Sequence, residues 1–170
     1  RLEGSTSPMI QAIFFDFNGV IINDEPLQLK AYQEALSEQG IELTAEQYYS
    51  ALGMDDRAFV RAAYARAHKE LAADSMQSVI GRKSAVQRSL IADELPLFPG
   101  VVTFLKQLRR RYSLGLVSMA RRVEIDYVLE RSGLGSLFAV VVSAEAVIAH
   151  KPDPECYRLG LASLNEKRRE

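Results

Sequence analysis

Three short apolar runs constrain this chain more than any other feature. Ala12 to Phe17, Leu114 to Val117 and Ala139 to Val142 are rich in aliphatic and aromatic residues and lack the apolar–polar alternation of a strand with one wet face. A strand of this kind is covered on both sides, and the stretches between the runs have the helical spacing needed to cover it. Strands alternating with helices imply a parallel sheet with right-handed crossovers. The predicted fold class is therefore α/β, with a Rossmann-like parallel sheet as its core. In open sheets of this type the ligand site lies beyond the carboxyl ends of the strands, and Asp16, Ser118 and Lys151 all belong there.

The first run stops at Asn18-Gly19. Leu29, Tyr32 and Leu36 then fall at helical spacing, and Gly40 can end that helix in a left-handed conformation. Thr44 with Gln47 three residues on is a capping box that opens a second helix. From there to Leu95 no strand signal interrupts the helical stripes, one carrying Phe59, Ala62 and Ala63 and another Val79, Val86 and Leu90. Pro96, Pro99 and Gly100 break the pattern. The β-rich rhythm then returns, with helix faces at Val101, Leu105 and Leu108 and at Ile125, Val128 and Leu129, the second capped by Gly133. Asp153-Pro154 opens a last helix, since proline lacks only an N–H that has no partner at a helix start. So long a helical stretch between the first strand and the rest reads as an inserted lid.

Composition narrows the class. With 21 basic and 22 acidic residues, the chain offers no bulk attraction to nucleic acid or an anionic membrane, so any phosphate must be met locally. Cys156 is the single cysteine, which excludes an internal disulfide and a cysteine-cluster metal site; it reads as helix packing and fits a reducing, cytoplasmic setting. No apolar run approaches the ~20 residues of a membrane-spanning helix. Arg1 to Pro8 shows neither an apolar core nor a cleavage pattern and reads as a vector-derived remnant before Met9.

Phe14-Phe15-Asp16-Phe17-Asn18-Gly19-Val20 resembles the first signature of the haloacid dehalogenase superfamily, Asp-x-Asp-Gly-Thr or Asp-x-Asp-Gly-Val. Ser118 resembles the second signature, and Lys151-Pro152-Asp153-Pro154 the third. Asn23-Asp24-Glu25 sits where the family's lid hinge begins. The helical region resembles the C1 cap of the β-phosphoglucomutase and phosphoglycolate phosphatase branch. The resemblance implies a core of residues 9–23 and 97–170 with a cap of residues 24–96. It also implies a phosphohydrolase acting on a small phosphorylated metabolite through an aspartyl-phosphate at Asp16. Mg²⁺ would be held by Asp16 and the backbone carbonyl of Asn18, hard oxygen donors of the kind it needs. Ser118 and Lys151 would meet the phosphoryl oxygens, with Gly19 and Met119 beside them. In the cap, Gly53 to Arg57 resembles a substrate-specificity loop, and Arg57 and Lys83 become candidate substrate contacts. His150 stands where the family often has glycine, and His68 reads as cap surface.

Two departures qualify the expectation. Asn18 replaces the second aspartate, which in the family protonates the leaving group and activates water; an amide does neither, so slow turnover or a stalled phosphoenzyme is expected. The Asn18-Gly19 pair is also prone to deamidation, which would restore some aspartate. Second, the fourth, acidic signature is not found before Glu170, and its strand would lie beside Ala12 to Phe17, opposite Leu114 to Val117. The expectation is an open edge on the first strand, covered by a further segment, a separate chain or a neighbouring molecule. Two other readings remain open: haloacid dehalogenase chemistry, which needs no acid at position 18, and a non-catalytic binding protein on the same fold.

Overall fold

Phe14 shows how tightly the sheet is covered. Strand β1 (Ala12–Phe15) pairs in parallel with β2 (Ser113–Val117), which pairs in parallel with β3 (Phe138–Val142). In the register, Phe14 lies opposite Gly115. A Cβ on Gly115 would sit 2.3 Å from the Phe14 ring, and one on Gly160 would sit 2.9 Å from the same ring. Two glycines, one on the central strand and one on the last helix, thus leave the space the ring fills. On the other face Phe15 meets Phe104 and Phe138 edge-on. The structure is a computed structural model that describes residues 10–167 and residue 169. Arg1 to Pro8, read as a vector-derived remnant, lie outside the described residues, as do Met9, Arg168 and Glu170.

The parallel α/β reading holds. The strand order is β1-β2-β3, so β1 has a neighbouring strand on one side only among the described residues. The first strand is shorter than its apolar run predicts. After Phe15 the chain leaves the ladder, because the Phe17 carbonyl accepts the amides of Val20, Ile21 and Ile22 at 3.2, 2.8 and 3.2 Å and closes a tight turn. Phe17 is nonetheless buried, and belongs to the apolar cluster under the sheet with Leu114, Leu116, Ile125 and Leu134.

Helices α1 (Glu25–Ser37), α2 (Ala45–Tyr49), α3 (Asp56–Arg66) and α4 (Ala73–Leu90) follow without a strand between them. They bury a second apolar cluster of their own, around Tyr32, Leu36, Tyr48, Phe59, Val60 and Val79. The capping box at Thr44 and Gln47 forms as predicted, with bonds of 3.0 and 3.1 Å, and Gly40 turns the chain after α1 at φ 66°. Where the chain crosses out of and back into the sheet unit, its two segments run side by side, bridged antiparallel at Ile22 and Leu97. The Asn23 amide donates to the Pro96 carbonyl at 2.6 Å, and the Phe98 amide to the Ile21 carbonyl at 3.2 Å. We propose this crossing as the hinge that bounds a cap of residues 24–96.

The rest of the chain returns to sheet cover: α5 (Val101–Arg109), α6 (Arg122–Ser132) and α7 (Glu155–Lys167). Asp153 caps α7 by accepting the Glu155 amide at 2.8 Å. Cys156 is fully buried among Val117, Met119, Val142 and Val147, a packing residue as expected. Among the described residues, no helix is long and apolar enough to cross a membrane.

Candidate active site

The carboxyl ends of the strands converge on one cavity of about 340 Å³. Asp16 follows β1, Ser118 follows β2, and Lys151 stands in the loop between β3 and α7; all three line it, with Asn18, Gly19 and Met119. Lys151 Nζ lies 2.9 Å from Asp16 Oδ2 and donates to the Val117 carbonyl, also at 2.9 Å. The other Asp16 oxygen accepts the Phe17 amide at 2.8 Å, so the carboxylate is held at both ends and remains 45% exposed. Ser118 is buried, and its hydroxyl oxygen accepts the Ala120 amide at 3.0 Å, leaving the hydroxyl proton available as a donor. The Asn18 amide donates to Asp24 Oδ2 at 2.8 Å, which turns this side chain toward the cap hinge.

The opposite wall comes from the helices. Lys83 is 2% exposed, with Nζ 3.2 Å from both Asp56 Oδ1 and Glu124 Oε1. Burial pulls the Lys83 pKa down, but the two carboxylates outweigh it and hold the ammonium above its usual range. Tyr32 donates to Asp56 at 2.5 Å and Tyr48 to Glu25 at 2.6 Å. Burial raises both phenols, and the adjacent carboxylates raise them further, so both remain protonated donors. Behind Asn18, burial pushes the Asp24 carboxyl up to about 6.

With this geometry in place the comparisons have a clear meaning. The model of the haloacid dehalogenase-like hydrolase family matches residues 13–170. The chain belongs to this family. It is 33% identical to a phosphoglycolate phosphatase of Synechococcus elongatus over 84% of this chain and 65% of that protein. It is 30% identical to hexitol phosphatase B of Escherichia coli over 90% of this chain and 69% of that protein. The chain thus spans about two thirds of the length of these relatives. The structure of a β-phosphoglucomutase from Clostridium difficile superposes with a TM-score of 0.83 at 22% identity, covering 92% of this chain and 72% of that one, which shows a shared fold.

Arg57 is the sequence candidate that this haloacid dehalogenase-like chain places elsewhere. It lines a second cavity of about 500 Å³ with Arg61, Arg121 and His150, and does not reach the one at Asp16. The reason is local: Asp55 caps α3 by accepting the Arg57 and Ala58 amides at 2.9 and 3.2 Å, which fixes where the helix starts. Successive helical residues point about 100° apart, so Asp56 faces Lys83 while Arg57 faces away. Of the Arg82-Lys83 pair only Lys83 lines the cavity; Arg82 pairs with Glu38 on the surface. His68 is exposed in the cap. His150, which the sequence leaves without a role, ties core to cap, its Nδ1 2.6 Å from Asp55 Oδ2.

Sequence reading placed Asp24 and Glu25 at a lid hinge and Asp56 within the Gly53 to Arg57 loop but gave none of them a place in the site, and it missed Glu124, one acidic residue among many on a helical stretch. As for Mg²⁺, the residues at hand fit in kind: a half-exposed Asp16 carboxylate and the backbone carbonyl of Asn18 are hard oxygen donors. Among the described residues no group of three His, Cys, Asp or Glu gathers to hold a metal. Mg²⁺ commonly takes one or two carboxylates and completes its shell with water and substrate phosphate, so the donor set suits it.

Proposed function

We propose that this chain carries the phosphoryl-transfer site of a phosphatase acting on a small phosphorylated metabolite. The observation that carries the reading is the 2.9 Å contact between Lys151 and Asp16 at the floor of the cavity, beside the buried Ser118 hydroxyl. A carboxylate, an ammonium and a hydroxyl donor at one point form a set that binds and attacks a phosphoryl group. The phosphatase names of the two curated relatives support the same class of substrate.

In this mechanism an Asp16 oxygen attacks phosphorus, the P–O bond to the substrate alcohol breaks, and an aspartyl-phosphate forms. Lys151 Nζ and Ser118 Oγ–H hold the phosphoryl oxygens as charge spreads over them. Asp16 and the Asn18 carbonyl would hold Mg²⁺, which would supply positive charge to offset the negative charge of the two anions. The departing alkoxide takes its proton from solvent, because the Asn18 amide has none to give. Water then attacks the aspartyl-phosphate, releases inorganic phosphate and restores Asp16, again without a carboxylate at position 18 to remove the proton. Loss of general acid–base help typically costs 10² to 10⁴ in rate in each half-reaction, so turnover of an alcohol ester is slow, and the phosphoenzyme accumulates from a donor such as acetyl phosphate whose leaving group needs no acid.

Denaturing intact-mass spectrometry after incubation with Mg²⁺ and acetyl phosphate tests this. The expected result is one added phosphoryl group that maps to Asp16 and is missing from Asp16→Asn. An unmodified wild-type chain, or an adduct that survives in Asp16→Asn, refutes the mechanism.

A further inference from the structure

The wall opposite Asp16 has the wrong charge for a second anion. Besides Lys151, the cation among the described residues lining the cavity is Lys83, and three carboxylates stand with it: Glu25, Asp56 and Glu124. Lys83 is not available to a ligand. Its Nζ is 3.2 Å from Asp56 on one side and 3.2 and 3.3 Å from the two Glu124 oxygens on the other, and the Tyr32 ring centre lies 5.2 Å from it. A carboxylate or phosphate at the far end of a substrate would have to displace one of these buried partners and leave it unpaired. Arg57 and Arg61, which would change the balance, line the neighbouring cavity.

The same wall suits hydroxyl groups. The carboxylates of Glu25, Asp56 and Glu124 line it, and a carboxylate oxygen has lone pairs for more than one donor. Acceptors of this kind match a ligand rich in O–H groups, which can donate to them while the Tyr32 and Tyr48 protons stay on Asp56 and Glu25. On the reading of Asp16 as phosphoryl acceptor, we infer that the cavity selects monophosphate esters of neutral polyols or sugars. It discriminates against substrates with a second phosphate or a carboxylate, and so sides with the hexitol-type relative over the phosphoglycolate-type one.

Calorimetric binding to the full chain with Mg²⁺ tests this, with inorganic phosphate, a hexitol 6-phosphate, phosphoglycolate and a hexose 1,6-bisphosphate as probes. The hexitol phosphate is expected to bind at least about tenfold more tightly than phosphate, and phosphoglycolate and the bisphosphate no more tightly than phosphate. Glu124→Gln, which frees one side of Lys83, should improve phosphoglycolate binding roughly tenfold relative to the hexitol phosphate. If that variant fails to fold, the wild-type ranking still decides. Phosphate that binds in a Lys151-dependent way, with phosphoglycolate or the bisphosphate ahead of the hexitol phosphate, overturns the selectivity alone. Phosphate that does not bind, or binds equally well to Lys151→Ala, overturns the phosphoryl site and the selectivity with it.

Discussion

Replacing Asp24 by asparagine should stabilise the protein at neutral pH and leave it unchanged in acid. Asp24 is fully buried at the hinge, and one of its oxygens takes three amide donors: Asn18 at 2.8 Å, Gln28 at 3.0 Å and Gln87 at 3.2 Å. Its other oxygen receives none, and neither do the side-chain oxygens of Gln28 and Gln87. Burial raises the carboxyl from 3.8 to about 6, against the lowering effect of the Gln28 and Asn18 bonds. A folded-state pKa above the unfolded one means that the folded protein binds this proton more tightly. The stability contributed by the site is therefore fully present below about pH 4 and is lost as pH rises through about 6. A rise from 3.8 to about 6 amounts to about 3 kcal/mol. Asparagine keeps the accepting oxygen, carries no charge, and offers its own N–H₂ to an orphaned glutamine oxygen. Its advantage over wild type should grow from near zero at pH 4 to about 3 kcal/mol at pH 7, or roughly 6–12 °C in melting temperature for a chain of this size. Urea unfolding of both proteins across this range in Mg²⁺-free buffer measures it. A difference that does not change with pH, or a variant less stable at pH 7, would refute the reasoning.

Three further outcomes are expected. Lys83→Met leaves the buried Asp56 and Glu124 carboxylates without their ammonium and should cost about 3–5 kcal/mol in urea unfolding. Because the folded Lys83 pKa is raised above its usual 10.5, the loss should persist to strong alkali, where the wild-type ammonium deprotonates, and shrink in acid as the stranded carboxylates take up protons; a loss that fades between pH 7 and 9 would contradict the pairing. Gly115→Ala drives a methyl group into the Phe14 ring and should cost about 1–3 kcal/mol by thermal melting, with Phe14→Leu in the same chain recovering part of it. Asn18→Asp should raise steady-state phosphate release from a hexitol phosphate roughly 10²- to 10⁴-fold and abolish accumulation of the phosphoenzyme; an unchanged rate would mean that position 18 is not the acid–base site.

Much of this architecture can be read from the chain because it rests on local signals. The apolar runs mark the three strands, the Thr44 and Gln47 side chains start α2, and the helical spacing of Val79 and Val86 sets the buried face of α4. The floor of the site is legible for a similar reason: Asp16 and Ser118 sit just past strand ends and Lys151 in the loop that follows the third strand, and a parallel sheet brings those ends together. The opposite wall is not legible. Lys83 and Glu124 are 41 residues apart, and His150 and Asp55 are 95 apart, so nothing in either neighbourhood announces the partner. The Arg57 expectation failed at the level of one residue: it took the right loop but not the helix start that Asp55 imposes, and so chose the neighbour of the side chain that faces the cavity.

These long-range pairs also connect substrate choice to the position of the cap. Glu124 belongs to α6 on the sheet unit, while Lys83, Ser84 and Asp56 belong to the helices above it, and Ser84 donates to Glu124 at 2.8 Å while accepting from Arg121 at 3.1 Å. These helices are thus fastened to the sheet unit at the cavity wall by a polar joint with Lys83 at its centre, which on the proposed division joins cap to core. A ligand that leaves Lys83 on its two carboxylates leaves the joint intact, and a neutral polyol does so. One that recruits the ammonium for a second anion must break a buried ion pair and release the cap at the same point. On the proposed reading, charge discrimination and cap closure are one interaction, so Glu124→Gln should loosen both together. Hydrogen exchange in α3 and α4 should rise in the same variant whose phosphoglycolate affinity improves, and exchange that stays at the wild-type level would separate the two effects.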